Sequence, residues 1–121
     1  MVIAAVDPNK KDLKLLVKFL RMAFPACHVL MFSDPEAAAR YIQDNPVDVL
    51  YTEAAMLYMS GFELQTAAEA VQPAILTVLV TDTDTYAGQA IKSRAQGYII
   101  KPVTKKTLQD SMSDTKFSYK K

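Results

Sequence analysis

Five short apolar runs in the sequence are each followed by a polar residue that could take part in chemistry. These residues are Asp7, Ser33, Glu53, Thr81 and Lys101. If the runs are parallel strands of one sheet, the five residues would meet beyond the carboxyl ends of the strands, where open α/β sheets bind ligands. Loops are generally polar, and that explanation suffices for Ser33. The two carboxylates, the hydroxyl and the ammonium of the other four residues indicate a functional site.

The elements that would position these groups follow from the pattern of apolar residues. The predicted strands are Val2–Val6, His28–Phe32, Val47–Thr52, Ile75–Val80 and Tyr98–Ile100. Several are continuous rather than alternating, which is typical of strands covered on both faces. Helical spacing and capping residues predict helices at Asn9–Phe24, 35–44, Phe62–Val71, Thr85–Ala95 with Asp84 as its cap, and Lys105–Met112 after Thr104.

Strand and helix therefore alternate five times with short connections. Parallel strands need crossover helices, and these crossovers are right-handed. The order predicts an α/β, flavodoxin-like (βα)5 three-layer sandwich with a five-stranded parallel sheet. We expect one domain over residues 1–113, and a frayed tail or the start of a linker over residues 114–121.

Composition excludes several classes of function. The net charge is +1 and no block of Lys or Arg dominates a predicted face, which argues against direct binding of nucleic acid. The single cysteine, Cys27, cannot form an internal disulfide, and no apolar run is long enough to span a membrane. We therefore expect a cytoplasmic protein with no membrane contact. Only three glycines are present, so a glycine-rich phosphate loop for a nucleotide cofactor is also missing.

Over about residues 1–112 the chain resembles the receiver domains of two-component response regulators. The residues that carry the resemblance are Val6-Asp7, Asp48-x4-Glu53-x2-Met56-x2-Met59-Ser60-Gly61, Thr81, and Tyr98-x2-Lys101-Pro102. The segment from Tyr86 to Val103 is most similar to receivers joined to LytTR-type DNA-binding domains.

The resemblance implies a role for each matching residue. Receivers accept a phosphoryl group from a histidine kinase on an aspartate after the third strand, with the help of Mg²⁺. Glu53 falls on that phosphoacceptor position, and Lys101 on the lysine that neutralises phosphoryl oxygens. Thr81 and Tyr98 fall on the switch hydroxyl and the switch aromatic residue. Pro102 follows the lysine and is often cis in the family.

Two departures from the family pattern argue against ordinary phosphorylation. The usual pair of acidic residues after the first strand reads Asp7-Pro8 here, so Pro8 replaces a usual metal ligand and we expect no bound metal or other cofactor. Glu53 carries one more methylene than aspartate, which extends its carboxylate by about 1.5 Å. Misplacing a reacting group by about 1 Å can slow a reaction about a hundredfold. Leu57 also stands where a proline is common.

We therefore interpret the chain as a pseudo-receiver that acts in signal transduction or transcription regulation by protein contact and is not an enzyme. A standing ion pair from Glu53 to Lys101 could partly imitate the phosphorylated state, with Thr81 turned inward and Tyr98 following it. Alternatively, Glu53 is a solvated carboxylate in an inert pocket. A different hypothesis is that the chain is a phosphorylation-competent receiver that uses Mg²⁺. Asp7, Glu53 and Asp82 are then the candidate ligands of the metal ion.

The expected partners are an output domain or partner protein, with a histidine kinase as a further candidate. A homodimer could form through the face made of helix 85–95, strand 98–100 and helix 105–112. Candidate contacts there are Ala87, Ala90, Ile91 and Arg94, of which Ala90 and Ile91 could equally belong to the core.

Overall fold

The computed structural model describes residues 1–113, in which five strands and five helices alternate. The strands are β1 (Val2–Val6), β2 (His28–Phe32), β3 (Val49–Thr52), β4 (Leu76–Thr81) and β5 (Gly97–Ile100). The helices are α1 (Lys10–Ala23), α2 (Pro35–Asp44), α3 (Gly61–Val71), α4 (Ala87–Lys92) and α5 (Lys105–Asp110).

All five strands are parallel and pair in the order β2-β1-β3-β4-β5. The chain starts in the middle of the sheet, so β1 pairs with both β2 and β3. Ile3, for example, lies beside Val29 on one side and Val49 on the other. The order reverses between β1 and β3, which makes the carboxyl ends of these two strands the place where such sheets build their sites. The predicted fold is confirmed.

Helices cover both faces of the sheet. On one face α1 and α5 pack on a core that includes Leu16, Leu20 and Leu108. On the other face α2 and α3 enclose Ile42 and Leu64, and a smaller cluster lies beneath α4. The residues of β1 and β3 are almost fully buried because they receive side chains from both layers.

Local sequence explains where four helices begin. Asn9 and Asp34 accept backbone N–H groups at the starts of α1 and α2. Ser60 and Thr104 form capping boxes at α3 and α5, in which the side chain at the third helical position also accepts the N–H of the cap. The helix starts that depend on such short-range hydrogen bonds were predictable from sequence.

The prediction for α4 was wrong in its length and in its cap. The helix covers Ala87–Lys92 rather than Thr85–Ala95, and its first residue follows Tyr86, which makes no side-chain cap. The carbonyl of Asp84, not its carboxylate, accepts the Ala87 N–H at 3.1 Å. Arg94 ends the helix early because it adopts a left-handed backbone conformation, with φ of 59°.

Smaller differences concern the ends of other elements. β3 begins at Val49 rather than Val47, because the Val47 N–H donates to the side chain of Gln72 instead of joining the sheet. β4 is displaced by one residue and includes Thr81, β5 starts at Gly97, and α5 ends at Asp110 rather than Met112.

Within residues 1–113, no helix is long and apolar enough to cross a membrane. The predicted tail, residues 114–121, lies outside the described residues.

Candidate functional site

The carboxyl edge of the sheet brings distant parts of the chain together. Asp7 follows β1 and Glu53 follows the neighbouring strand β3, and the Glu53 N–H donates to the Val6 carbonyl at 3.0 Å. Lys101 follows β5, and its N–H donates to the Thr81 carbonyl at 2.8 Å. Of the four residues selected from sequence, Asp7, Glu53 and Lys101 therefore share one site because parallel strands end at the same edge.

The Lys101 ammonium is the centre of this site. Its Nζ donates to Asp7 Oδ2 at 2.8 Å, to Glu53 Oε1 at 2.9 Å and to Asp12 Oδ2 at 2.9 Å. The side chains of Asp7, Glu53 and Lys101 are only 4%, 12% and 15% exposed. Three carboxylates around one ammonium leave two formal negative charges, and all three donor positions of the ammonium are occupied.

Asp12 is a member of this cluster that sequence reasoning missed. It lies in the first turn of α1, where its own N–H donates to the Asn9 cap. An acidic residue in a first helical turn has a sufficient local explanation, since it stabilises the helix dipole. Asp12 lies five residues after Asp7, at the start of the helix that leaves the site. This position was the one feature of the sequence that could have placed Asp12 in the cluster.

Burial and hydrogen bonding shift the protonation equilibria of the cluster. Burial raises the pKa of Asp7 above its ordinary 3.8, although hydrogen bonds from Lys101 and from the Asn9 N–H oppose this. Burial also opposes the charged form of Lys101, but hydrogen bonds to Asp7, Glu53 and Asp12 outweigh it and raise the pKa of the lysine above 10.5. Lys101 is therefore charged at every physiological pH.

The second oxygen of Glu53 is held by the backbone of the loop that follows β3. Glu53 Oε2 accepts the N–H groups of Ala54 at 2.6 Å and Ala55 at 3.2 Å. The end of this loop lies beside its start, because the Gly61 N–H donates to the Ala54 carbonyl. A Cβ at Gly61 would lie 2.3 Å from the Glu53 carbonyl oxygen, so only glycine permits this close approach. Both oxygens of Glu53 therefore have partners in the protein.

The oxygen atoms that the site could offer as ligands do not fit a magnesium ion. Mg²⁺ requires near-octahedral oxygen ligands, and Pro8 has no side-chain oxygen to offer. Asp7 Oδ1 already accepts the Asn9 N–H at 2.9 Å, while Oδ2 accepts from Lys101. Within residues 1–113, no group of three or more His, Cys, Asp or Glu side chains is arranged to hold a metal ion.

Asp82, the third candidate ligand, lines a cavity next to the cluster. This cavity of about 300 Å³ is also lined by Asp7, Asp12 and Lys101, and its apolar wall includes Leu15. Asp82 is exposed, and it makes none of the hydrogen bonds that join the other three acidic residues to Lys101.

The two residues matched to the switch lie on β4 and β5. Thr81 is the last residue of β4 and is 1% exposed. The Tyr98 hydroxyl donates to the Thr83 carbonyl, and its ring packs on the cluster that contains Phe62 and Leu79. Burial raises the pKa of Tyr98 above its ordinary value. The Lys101–Pro102 peptide bond is cis.

One comparison with known proteins identifies the family, and another supports the fold. Residues 3–113 match the response regulator receiver domain family. A response regulator receiver domain protein from Clostridium thermocellum is 24% identical with a TM-score of 0.79, over 91% of this chain and 89% of that one. The response regulatory domain of protein mrkE from Klebsiella pneumoniae is 18% identical with a TM-score of 0.81, over 92% and 91%.

A third similar structure is chemotaxis response regulator CheY4 of Vibrio cholerae, which is 22% identical with a TM-score of 0.78, over 92% of this chain and 98% of that one. Comparison with curated proteins found no match. The three structural likenesses, all below 25% identity, support the fold, and the family match covers nearly the whole of the described chain.

Proposed function

The chain belongs to the response regulator receiver domain family, and we propose that it is a pseudo-receiver, a signalling module that acts by protein contact without phosphorylation at Glu53. The observation that carries this proposal is that both oxygens of the Glu53 carboxylate are held by groups of the protein. Oε1 accepts from Lys101 and Oε2 accepts from two loop amides, so three of its about four acceptor positions are occupied and the carboxylate is fixed in place rather than free to meet a phosphoryl group.

The additional methylene of Glu53 explains how one side chain reaches all these donors. A phosphorylated aspartate would place phosphoryl oxygens against a lysine and loop amides, because such groups stabilise transferred phosphoryl charge. In this chain the glutamate oxygens bind the same classes of donor. We propose that Glu53 partly imitates the phosphorylated state, with one negative charge where a phosphoryl group carries about two.

The position of Tyr98 supports this interpretation. Its partly buried ring packs on the cluster that contains Phe62 and Leu79, and its hydroxyl donates to the Thr83 carbonyl, two residues after Thr81. These contacts hold Tyr98 beside the end of β4, where Thr81 lies. We propose that the Glu53–Lys101 pair keeps Thr81 and Tyr98 in that arrangement without a phosphoryl group.

Incubation with Mg²⁺ and acetyl phosphate, read by intact mass, tests the absence of phosphorylation. We expect no phosphoryl adduct on the natural chain. Neither Glu53→Asp nor Pro8→Asp alone should restore labelling, because each repairs one defect and leaves the other. The double variant, with both the nucleophile and the metal ligand restored, is the positive control. An adduct on the natural chain that is lost in Glu53→Gln would establish the phosphorylation-competent alternative.

A separate experiment tests whether Glu53 imitates phosphorylation. We expect Glu53→Gln and Glu53→Ala to move the Tyr98 ring resonances in NMR spectra and to change self-association, because both variants remove the charge that Lys101 holds. Glu36→Gln, an exposed carboxylate in the first turn of α2, is the matched control. If both Glu53 variants keep the Tyr98 resonances and the self-association of the natural chain, Glu53 only fills the phosphoacceptor position.

The proposal extends to location and partners. We infer that this pseudo-receiver works in the cytoplasm and transmits its state to an output domain or partner protein. The segment from Tyr86 to Val103 suggests a LytTR-type DNA-binding domain as the candidate output domain. We propose that no bound cofactor is needed. Direct contact of this domain with nucleic acid is not expected.

A further inference from the structure

Two buried polar atoms between α3 and β4 lack hydrogen-bond partners among residues 1–113. They are Oε1 of Gln65 and Oγ1 of Thr77. Gln65 is 1% exposed and Thr77 is 2% exposed. Buried polar atoms in folded proteins nearly always have a partner, which can be protein or ordered water. Each of these two atoms therefore calls for a partner, and one ordered water could serve both if the atoms lie close together.

The two side chains lie at the same level of the structure. Thr77 is two residues from Leu79 along β4 and so points to the same face, where Leu79 packs with Phe62 of α3. A Cβ on Gly61, at the start of α3, would lie 3.1 Å from Leu79 Cδ1. From Gly61 to Gln65 the helix advances about 6 Å, and from Leu79 back to Thr77 the strand spans a similar distance, about 6–7 Å.

Both residues also hold the turn that leads from α4 into β5. Gln65 Nε2 donates to the Ser93 carbonyl at 3.0 Å. The Gln96 N–H donates to the Thr77 carbonyl at 2.7 Å. Between these two attachment points lies Arg94, in the left-handed conformation that non-glycine residues seldom adopt. The turn is thus fixed at both ends by the residues that carry the two unpaired atoms.

The orientation of the Gln65 amide follows from its other contacts. Its Nε2 faces two acceptors, the Ser93 carbonyl and Glu69 Oε2 at 3.3 Å. Only an NH₂ group can donate to both, and a flipped amide would place oxygen against oxygen. Oε1 is therefore the unpaired acceptor, and the Thr77 hydroxyl can act as a donor or an acceptor.

We propose that Gln65 and Thr77 bind one buried water molecule, and that this site anchors the turn 93–96 between α4 and β5. The water would donate to Gln65 Oε1 and exchange a second hydrogen bond with Thr77 Oγ1, which meets the minimum of two to four polar partners of buried waters. Gln65 and Thr77 then act as positioning residues for Tyr98, two residues after the turn. This inference does not depend on the state of Glu53.

Thr77→Val distinguishes a hydrated site from a dry one by the sign of its effect. Valine has the shape of threonine without the hydroxyl. If the water is present, its loss or loosening raises the unfolding equilibrium constant about tenfold. If the site is dry, the variant removes an unsatisfied hydroxyl and leaves the constant unchanged or lower. Thr66→Val is the matched control, since the exposed Thr66 hydroxyl bonds only to the Phe62 carbonyl of its own helix.

The water and its anchoring role are each measured directly. A high-resolution crystal structure of the natural chain should show one ordered water between Gln65 and Thr77. Gln65→Met should accelerate amide hydrogen exchange at Gln96 and shift the Tyr98 ring resonances, whereas Thr66→Val should do neither. A dry contact in the crystal, or a Thr77→Val variant at least as stable as the natural chain, overturns the water site. Unchanged exchange at Gln96 in Gln65→Met overturns the anchoring role.

Discussion

Lys101 makes an unusual number of strong contacts for a single side chain. Its ammonium binds three carboxylates, one after β1, one in α1 and one after β3, so it connects segments up to 94 residues apart in the chain. Breaking a buried ion pair from one side is costly because the other charge stays buried. Lys101 should therefore contribute to the stability of the fold as well as to the state of Glu53.

We expect Lys101→Met to lower the free energy of unfolding at pH 7 by about 3 kcal/mol, because Asp7 loses its cationic partner in a buried place. The folded-state pKa of Lys101 is raised, so its contribution is complete below the unfolded-state value of 10.5 and is lost as the pH rises through the folded-state pKa. At acid pH the difference should shrink as the carboxyl groups become protonated. Urea unfolding of both proteins across this pH range measures the effect.

Two variants serve as controls for Lys101→Met. Lys106→Met removes the exposed pair with Asp110 and should leave stability unchanged, since such surface pairs contribute little. Asp7→Asn should destabilise less than Lys101→Met, because burial raises the pKa of Asp7 and its ionisation above pH 3.8 opposes folding. If Asp7→Asn is the more damaging substitution at pH 7, the assignment of Lys101 as the centre of the cluster is wrong.

Among the elements, α4 is the one whose sequence pattern misled the prediction. It has six residues, no side-chain cap and one buried residue, Ala90. Neither its length nor its position follows from its own periodicity. Its end is set instead by Arg94 and by the attachment of the turn 93–96 to α3 and β4. Marginal helices take their limits from tertiary contacts, because short helices are unstable alone.

Arg94→Gly tests the strain at this helix end. Glycine adopts the left-handed region freely, so the substitution should raise the free energy of unfolding by about 0.5–1 kcal/mol, after allowing for the greater freedom of glycine in the unfolded chain. Ser93→Gly is the matched control and should lower stability, because Ser93 has ordinary helical backbone angles. Thermal or urea unfolding measures both. Equal destabilisation by the two glycines would show that the backbone at Arg94 is unstrained.

At the scale of the whole molecule, two large exposed apolar side chains lie near each other in the chain, on α4 and β5. Ile91 on α4 is 78% exposed and Ile100 on β5 is 50% exposed. Both belong to the face proposed for partner contact, beside a cavity of about 400 Å³ between β5 and α5. Ala90, which the sequence left open between core and surface, is buried. Ile91 is the candidate anchor on this face, since it is the most exposed large apolar side chain among those of α4, β5 and α5.

We expect Ile91→Lys to weaken self-association or partner binding at least tenfold, because it places a charge at the centre of the proposed contact. Met31→Lys, on the edge strand β2 at the opposite side of the sheet, is the matched control: Met31 is 49% exposed and should tolerate the change. Sedimentation measures self-association of the three proteins. Equal weakening by both lysines, or no effect of Ile91→Lys, would remove this face from consideration.

Much of the molecule follows from local sequence. The alternation of apolar strands and helical segments predicted the sheet and the two helix layers, because buried parallel strands and amphipathic helices have distinct periodicities. The residues after the strands predicted the meeting of Asp7, Glu53 and Lys101, because parallel strands end at one edge. Glu53 and Pro8 are visible in the sequence alone, and the proposal that this chain is a pseudo-receiver starts from these two residues.

The tertiary structure alone decided which atoms meet. Asp12 joins Lys101, Glu53 turns one oxygen to the amides of its own loop, α4 ends at Lys92, and Gln65 and Thr77 have polar atoms without partners among residues 1–113. Most of these features depend on contacts between residues far apart in the chain. Periodicity and capping report on neighbours within a few positions. Hydrogen bonds and ion pairs depend on atomic positions defined to within a few tenths of an ångström, which only the packed fold determines.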